Sequence, residues 1–289
     1  MKRTSKFNHL NFHKGIIEFL ESSIAPANWR DAQSDQKTTT INTVKRILLL
    51  FSILIGFNAS ALETIKIKAA DGVEVTVDLH ITHPDTVPFI ILYHQAGWSR
   101  GEYQEIAPTL NQLGFNCMAV DQRSGKAVNN VENRTFISAR QLMKETKYID
   151  ALPDMNAAVN HAREFLAKGD LIIWGSSYSA ALVLKIAGDR PNDIAGVLAF
   201  SPGEYFQSMG KPKDFITISA SKIQCPSFIT SAKSERNSWW NINEVIPTET
   251  KTYYLPETSG NHGSRALWSK FSDNLNYWDA VKTFLSQYL

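Results

Sequence analysis

Ser177 stands in the run Gly175-Ser176-Ser177-Tyr178-Ser179, where the apolar stretch Leu171–Trp174 meets a helix-forming stretch that opens at Tyr178. A serine at the apex of so tight a strand-to-helix turn projects its hydroxyl over the end of a sheet, beside the first backbone N–H groups of the helix. Such a turn needs small neighbours. Gly175 meets that demand before the serine and Ser179 after it, where a second glycine is usual. Ser176 has the bulky Trp174 two residues before it, and Ser179 falls inside the helix, so Ser177 is the candidate nucleophile. A serine hydroxyl is a weak nucleophile until a base takes its proton, and an imidazole can accept that proton and return it. Five of the seven histidines follow residue 61. His80 and His83 form H-x-x-H, a spacing that puts them on opposite faces of a strand and makes no metal pair. His161 falls mid-helix near Arg163, and His94 ends a buried strand, where it supports the loop that follows. His262, in the loop Ser259-Gly260-Asn261-His262-Gly263-Ser264, is the candidate base.

These residues need a scaffold, and the pattern of the chain supplies one. Ile65 and Ile67 alternate with lysines, and Val73, Val75, Val77 and Leu79 alternate with polar residues, with Asp71-Gly72 between them as a hairpin turn. The later runs 89–93, 117–120, 171–174, 196–200, 227–230 and 252–255 are short and mostly apolar on both faces, as strands buried on both sides are. Helical patterns separate them: Glu102 to Leu113, Leu152 to Ala167, Tyr178 to Ala187 and Asn274 to Leu289. Alternation of this kind predicts an α/β fold: about eight strands, mostly parallel and doubly wound, with an N-terminal antiparallel hairpin and helices on both faces.

The formal charge of +2 is misleading. Residues 1–61 hold eight of the 30 Lys/Arg and four of the 28 acids, so residues 62–289 carry 22 and 24, a net of −2. Nucleic acid is therefore not an expected partner. Lys45-Arg46, the apolar run Ile47–Phe57 and Ala59-Ser60-Ala61 have the three parts of a secretory signal, and the run is too short to span a bilayer. The expected organisation is an N-terminal extension at 1–43 that is non-native or disordered, translation beginning near Val44, a signal peptide at 44–61, and one domain at 62–289. The mature protein would be exported, periplasmic or secreted, with no membrane span. Cys117 and Cys225 are expected as buried free thiols, and Asn133-Arg134-Thr135 matches a glycosylation acceptor. No phosphate loop, C-x-x-C or zinc pattern is present, so no cofactor or metal is expected.

The runs Leu92-Tyr93-His94-Gln95-Ala96-Gly97-Trp98 and Val120-Asp121-Gln122-Arg123-Ser124-Gly125, the turn at Ser177, and Asn261-His262-Gly263 resemble the α/β-hydrolase family, especially its small capless members similar to dienelactone hydrolase. The resemblance implies a nucleophile, acid and histidine in that chain order. It puts the acid just after the next-to-last strand, at Glu235, with Glu204, one strand earlier, as the rival. It implies an oxyanion hole from the backbone N–H groups of Tyr178 and Ala96, with Gln95, which stands where relatives have glycine, as the alternative to Ala96. It also implies a cleft lined by Gln95, Trp98 and Tyr178, packing being the other role open to the two aromatic rings. Only about twenty residues, Gly203 to Gln224, separate two late strands, too few for a large lid. The implied activity is a serine esterase on short or soluble acyl esters, working through an acyl-enzyme on Ser177. The alternatives are a peptidase or amide hydrolase with the same triad, and a non-catalytic binding protein.

Overall fold

Eight strands form one sheet in the computed structural model, which describes residues 62–247, 249 and 251–289. They are β1 (Glu63–Lys68), β2 (Glu74–His80), β3 (Phe89–Tyr93), β4 (Asn116–Val120), β7 (Leu171–Ser176), β8 (Gly196–Phe200), β9 (Ser227–Thr230) and β10 (Lys251–Tyr254). A separate two-residue ladder pairs β5 (Ala127–Val128) with β6 (Val131–Glu132). The spatial order is β1-β2-β4-β3-β7-β8-β9-β10. β1 and β2 pair antiparallel, as do β2 and β4, and every other pairing in this sheet is parallel. The expected extension and signal segment lie outside the described residues.

Both faces of β3, β4, β7, β8 and β9 are covered, which is why these strands read as mostly apolar runs. β10, expected to be buried likewise, lies at the edge of the sheet and is largely exposed. Ile90 and Leu92 of β3 pack on one side with Ile106 and Leu110 of α1 (Ile106–Gln112) and Val281 of α7 (Asn274–Leu285). Phe89, Ile91 and Tyr93 point to the other side. There they join residues of α2 (Arg134–Gln141), α3 (Leu152–His161), α4 (Tyr178–Asp189), α5 (Phe215–Ala220) and α6 (Arg236–Val245).

The strand order locates the crevice. β3 has β4 on one side and β7 on the other, so the chain reverses its direction of travel across the sheet there. In an open parallel sheet the loops leaving the strand ends at such a reversal part and leave a cleft. Here those loops are the one after β3, with Gln95 and Ala96, and the turn after β7, with Ser177.

Several elements depart from the sequence reading. The helix expected from Glu102 is a 3₁₀ turn (Arg100–Tyr103) followed by α1, because Ser99 accepts from Gly101 N and closes a tighter turn. The helix from Leu152 becomes a π turn at Ala162–Leu166, and that from Asn274 ends at Leu285. The last strand is displaced by one residue, to Lys251–Tyr254. Helices α2, α5 and α6 were not expected. Asn133, which matches a glycosylation acceptor in sequence, is 1% exposed and caps α2 by accepting from Phe136 N at 2.8 Å. Its amide donates to the carbonyls of Gln122 and Trp98, so no glycan can be attached without dismantling the site. Both cysteines are free and buried. Among the described residues no helix is long and apolar enough to cross a membrane.

Candidate active site

The turn between β7 and α4 is built as its residue types require. Ser177 has φ 59° and ψ −121°, a conformation disfavoured for residues with a Cβ. A Cβ at Gly175 would lie 2.3 Å from the carbonyl oxygen of Ser179, so only glycine fits. Ser179 does more than a second glycine could. Its buried hydroxyl reaches the carbonyls of Tyr93 and Ser176, at 3.0 and 2.9 Å, and that of His94, tying the turn to the end of β3.

The loop after β3 has its amides allocated one by one. His94 N donates to Gln122 Oε1, Gln95 N to Glu102 Oε2 at 2.8 Å, Gly97 N to Ser124 O and Trp98 N to Gln95 O. The amide of Ala96 alone has no partner among the described residues. The imidazole of His94 accepts from Gln122 N and donates to Gln95 O. Burial pushes its pKa down to about 4, so it is neutral and supports the loop. The Gln95 side chain is 9% exposed and its Oε1 has no partner among the described residues. Trp98 is half-buried and stacks on Trp268 at 5.2 Å. Of the two roles open to the Tyr178 ring, the structure has it as packing, fully buried against Tyr148 at 4.8 Å.

His262 and Glu235 come together. His262 Nδ1 lies 2.6 Å from Glu235 Oε1. Burial alone would raise the Glu235 pKa, but the hydrogen bonds from His262 and Ser201 outweigh it and hold the carboxyl below the usual range. The rival acid is engaged elsewhere. Both oxygens of Glu204 accept from Ile216 N, and one also accepts from Thr217 N and its hydroxyl, so this carboxylate caps α5.

The histidine loop is pinned against the turn that carries Ser177. Gly263 N donates to Ser201 Oγ and Ser264 N to Ser176 Oγ, each at 2.9 Å. A Cβ on Gly263 would lie 2.5 Å from Ser176 Oγ and 2.7 Å from Gln95 Oε1. Glycine is therefore required directly after His262, because the loop backbone presses on the residue before Ser177. From the other side, Ser177 N donates to Phe200 O at 2.7 Å. The phenol of Tyr205 donates to Ser201 O at 2.7 Å and faces the Ser177 side chain.

Two polar residues of the site escaped the sequence reading. Glu102 is 0% exposed and takes Gln95 N on one oxygen and the Ser176 hydroxyl, at 2.7 Å, on the other. Burial pushes its pKa up to about 7. Ser201 is 1% exposed with φ 60°. Neither carries a local pattern that could have marked it, since their partners lie far away in sequence. Among the described residues no group of His, Cys, Asp and Glu could hold a metal ion. A surface depression of about 560 Å³ between β1 and α3, lined by Lys66, His161 and Phe165 among others, contains none of these site residues.

A mostly parallel sheet carrying a strained serine at the strand-to-helix turn, with the histidine loop folded onto it, defines the α/β-hydrolase class. The family described as serine aminopeptidase, S33, matches residues 84–235, and the chain belongs to it. The fold is similar to that of a Pyrococcus furiosus esterase (17% identity, TM-score 0.59, 79% of this chain and 93% of that one). It is also similar to a dienelactone hydrolase from Anabaena variabilis (13% identity, TM-score 0.60, 79% and 98%). A third similar structure is Est1E from Butyrivibrio proteoclasticus (14% identity, TM-score 0.55, 78% and 98%). No curated protein matches the chain in sequence.

Proposed function

We propose that the protein is a serine hydrolase cleaving carboxylic esters through an acyl-enzyme on Ser177. One observation carries this reading: His262, paired with Glu235, sits in a loop bonded to Ser176, the residue directly before the serine. With Nδ1 held by Glu235, His262 has Nε2 left to take the Ser177 proton as Oγ attacks the substrate carbonyl. The amides of Ala96 and Tyr178 receive the oxyanion. His262 returns the proton to the leaving alcohol. A water then repeats the sequence, giving the carboxylic acid and free serine.

The family's description favours a second reading, an aminopeptidase. Such an enzyme needs a carboxylate free to meet the substrate ammonium. Glu102, Glu204 and Glu235 are all engaged internally, which supports esters instead. The segment between β8 and β9 carries only the six-residue α5 and a short 3₁₀ turn, which supports an open cleft and short or soluble acyl groups. We also propose export; N-terminal sequencing of the exported protein should begin at Leu62, and an intact Met1 refutes it.

A fluorophosphonate probe tests the mechanism. Wild type should label and Ser177→Ala should not. An unlabelled wild type would instead favour a binding protein on a hydrolase fold. Parallel assays with p-nitrophenyl esters of rising chain length and with aminoacyl anilides separate the two substrate classes, and faster anilide turnover overturns the ester assignment.

A further inference from the structure

We propose that Ser201 is a positioning residue of the active site, a hydroxyl link that locks the carboxylate of Glu235 to the loop carrying His262. The inference rests on the reading of Ser177, Glu235 and His262 as the catalytic set and adds a member that touches none of the reacting atoms. Glu235 divides its two oxygens. Oε1 meets His262 Nδ1, while Oε2 accepts the Ser201 hydroxyl at 2.7 Å and Ala232 N at 3.2 Å. A carboxylate free to rotate would lose that division. With Oε2 anchored twice, Oε1 stays aimed at the imidazole. The same Ser201 oxygen accepts Gly263 N at 2.9 Å, so one hydroxyl holds both the acid and the residue following the histidine.

The backbone of this junction completes the link. Phe200 O accepts Ser177 N at 2.7 Å, and Ser201 N donates to Thr230 O at 2.6 Å, at the end of the strand before Glu235. Ser201 O accepts the phenol of Tyr205, which faces Ser177. Phe200-Ser201 is therefore bonded to the serine, to the acid and to the histidine loop. Ser201 adopts φ 60°, a left-handed conformation that glycine or asparagine takes more readily. Serine at a position that suits glycine is unexplained by the backbone and explained by the hydroxyl.

That contrast provides a clean test, because Ser201→Gly removes the hydroxyl while easing the backbone. The melting temperature should fall by only a few degrees, because relief of the left-handed backbone offsets part of the two hydrogen bonds lost at Gly263 N and Glu235. The value of kcat should fall roughly 10- to 100-fold, with KM changing less than about threefold, as expected of a misaligned catalytic group. The rate of fluorophosphonate labelling should fall in the same proportion. In a Glu235→Gln background, Ser201→Gly should add less than about twofold, because the two residues act as one unit. Ser201→Ala, which removes the hydroxyl and keeps the Cβ, serves as the second variant if the glycine one folds poorly. Wild-type kcat and labelling in either variant overturn the proposal alone. So does a loss that tracks a melting temperature fallen further than that, or full additivity with Glu235→Gln. Failure of wild type to label overturns the hydrolase reading and this proposal together.

Discussion

Two buried polar clusters flank the loop after β3, and they are opposites. In the first, Arg123 is 2% exposed and its guanidinium is closed on both sides, by Asp154 and by Asp71. Arg100 is held in the same way between Asp78 and Asp121. Arg123 ties the β1–β2 turn and α3 to the loop after β4, Arg100 ties β2 and the same loop to the turn after β3, and every charge in the two sets has a partner of opposite sign. In the second cluster, around Ser177, hydrogen bonding stops one partner short at selected atoms. Ala96 N and His262 Nε2 have no partner among the described residues. Burial of charge without a partner is costly, so a scaffold saturates its groups. A reactive site must keep a few open and hold their neighbours rigid. The difference marks where chemistry can occur more sharply than cavity size does.

Breaking the open cluster should have the largest effect. His262→Ala should lower kcat/KM by about 10³- to 10⁴-fold in an ester assay while the melting temperature changes little, since this imidazole is only half-buried. Glu235→Gln should also depress turnover strongly; an unchanged rate would show that the pair on His262 Nδ1 has no catalytic use.

Breaking the saturated cluster should do the reverse. Asp154→Ala leaves Arg123 with half its partners in a buried position, a loss of about 3–5 kcal/mol in stability by urea titration. Molecules that remain folded should keep nearly wild-type kcat. A variant that instead lost kcat at unchanged stability would erase the distinction between the clusters.

Glu102 sharpens the comparison because it belongs to the site yet is fully buried. Burial pushes its carboxyl up to about 7, against an ordinary value of 4.5. Between those pH values the folded protein holds a proton that the unfolded chain has released, so stability falls as pH rises through that window and levels off above it. Glu102→Gln should flatten that slope, measured as urea midpoints at pH 5 and pH 8. A smaller loss than that of Asp154→Ala, about 1–3 kcal/mol in the same urea titration, is expected from Asn133→Ala, which removes the cap of α2 and leaves the carbonyls of Gln122 and Trp98 without its amide.

Much of this protein was legible from neighbouring residues. The turn at Ser177 could be read because its steric demands fall on positions two residues away, at Gly175 and Ser179. The sheet could be read because alternation and short apolar runs report which faces are covered. The unexpected helices show where reading failed. The Asn133 cap of α2 has a local signature, but the same three residues also spell a glycosylation site, and only burial separates the two meanings.

The sequence by itself determined the strand and helix alternation, the strained serine and the histidine-bearing loop, because each is dictated by interactions within a few residues. The tertiary structure alone decided that Glu204 caps a helix while Glu235 meets His262, that Ala96 keeps the open amide, and that Ser201 and Glu102 belong to the site. Their hydrogen bonds join residues from different strand ends, including pairs such as Ser176 and Ser264 that lie 88 positions apart. Distance in the chain carries no information about such partners; only the order of strands in the folded sheet brings them within reach.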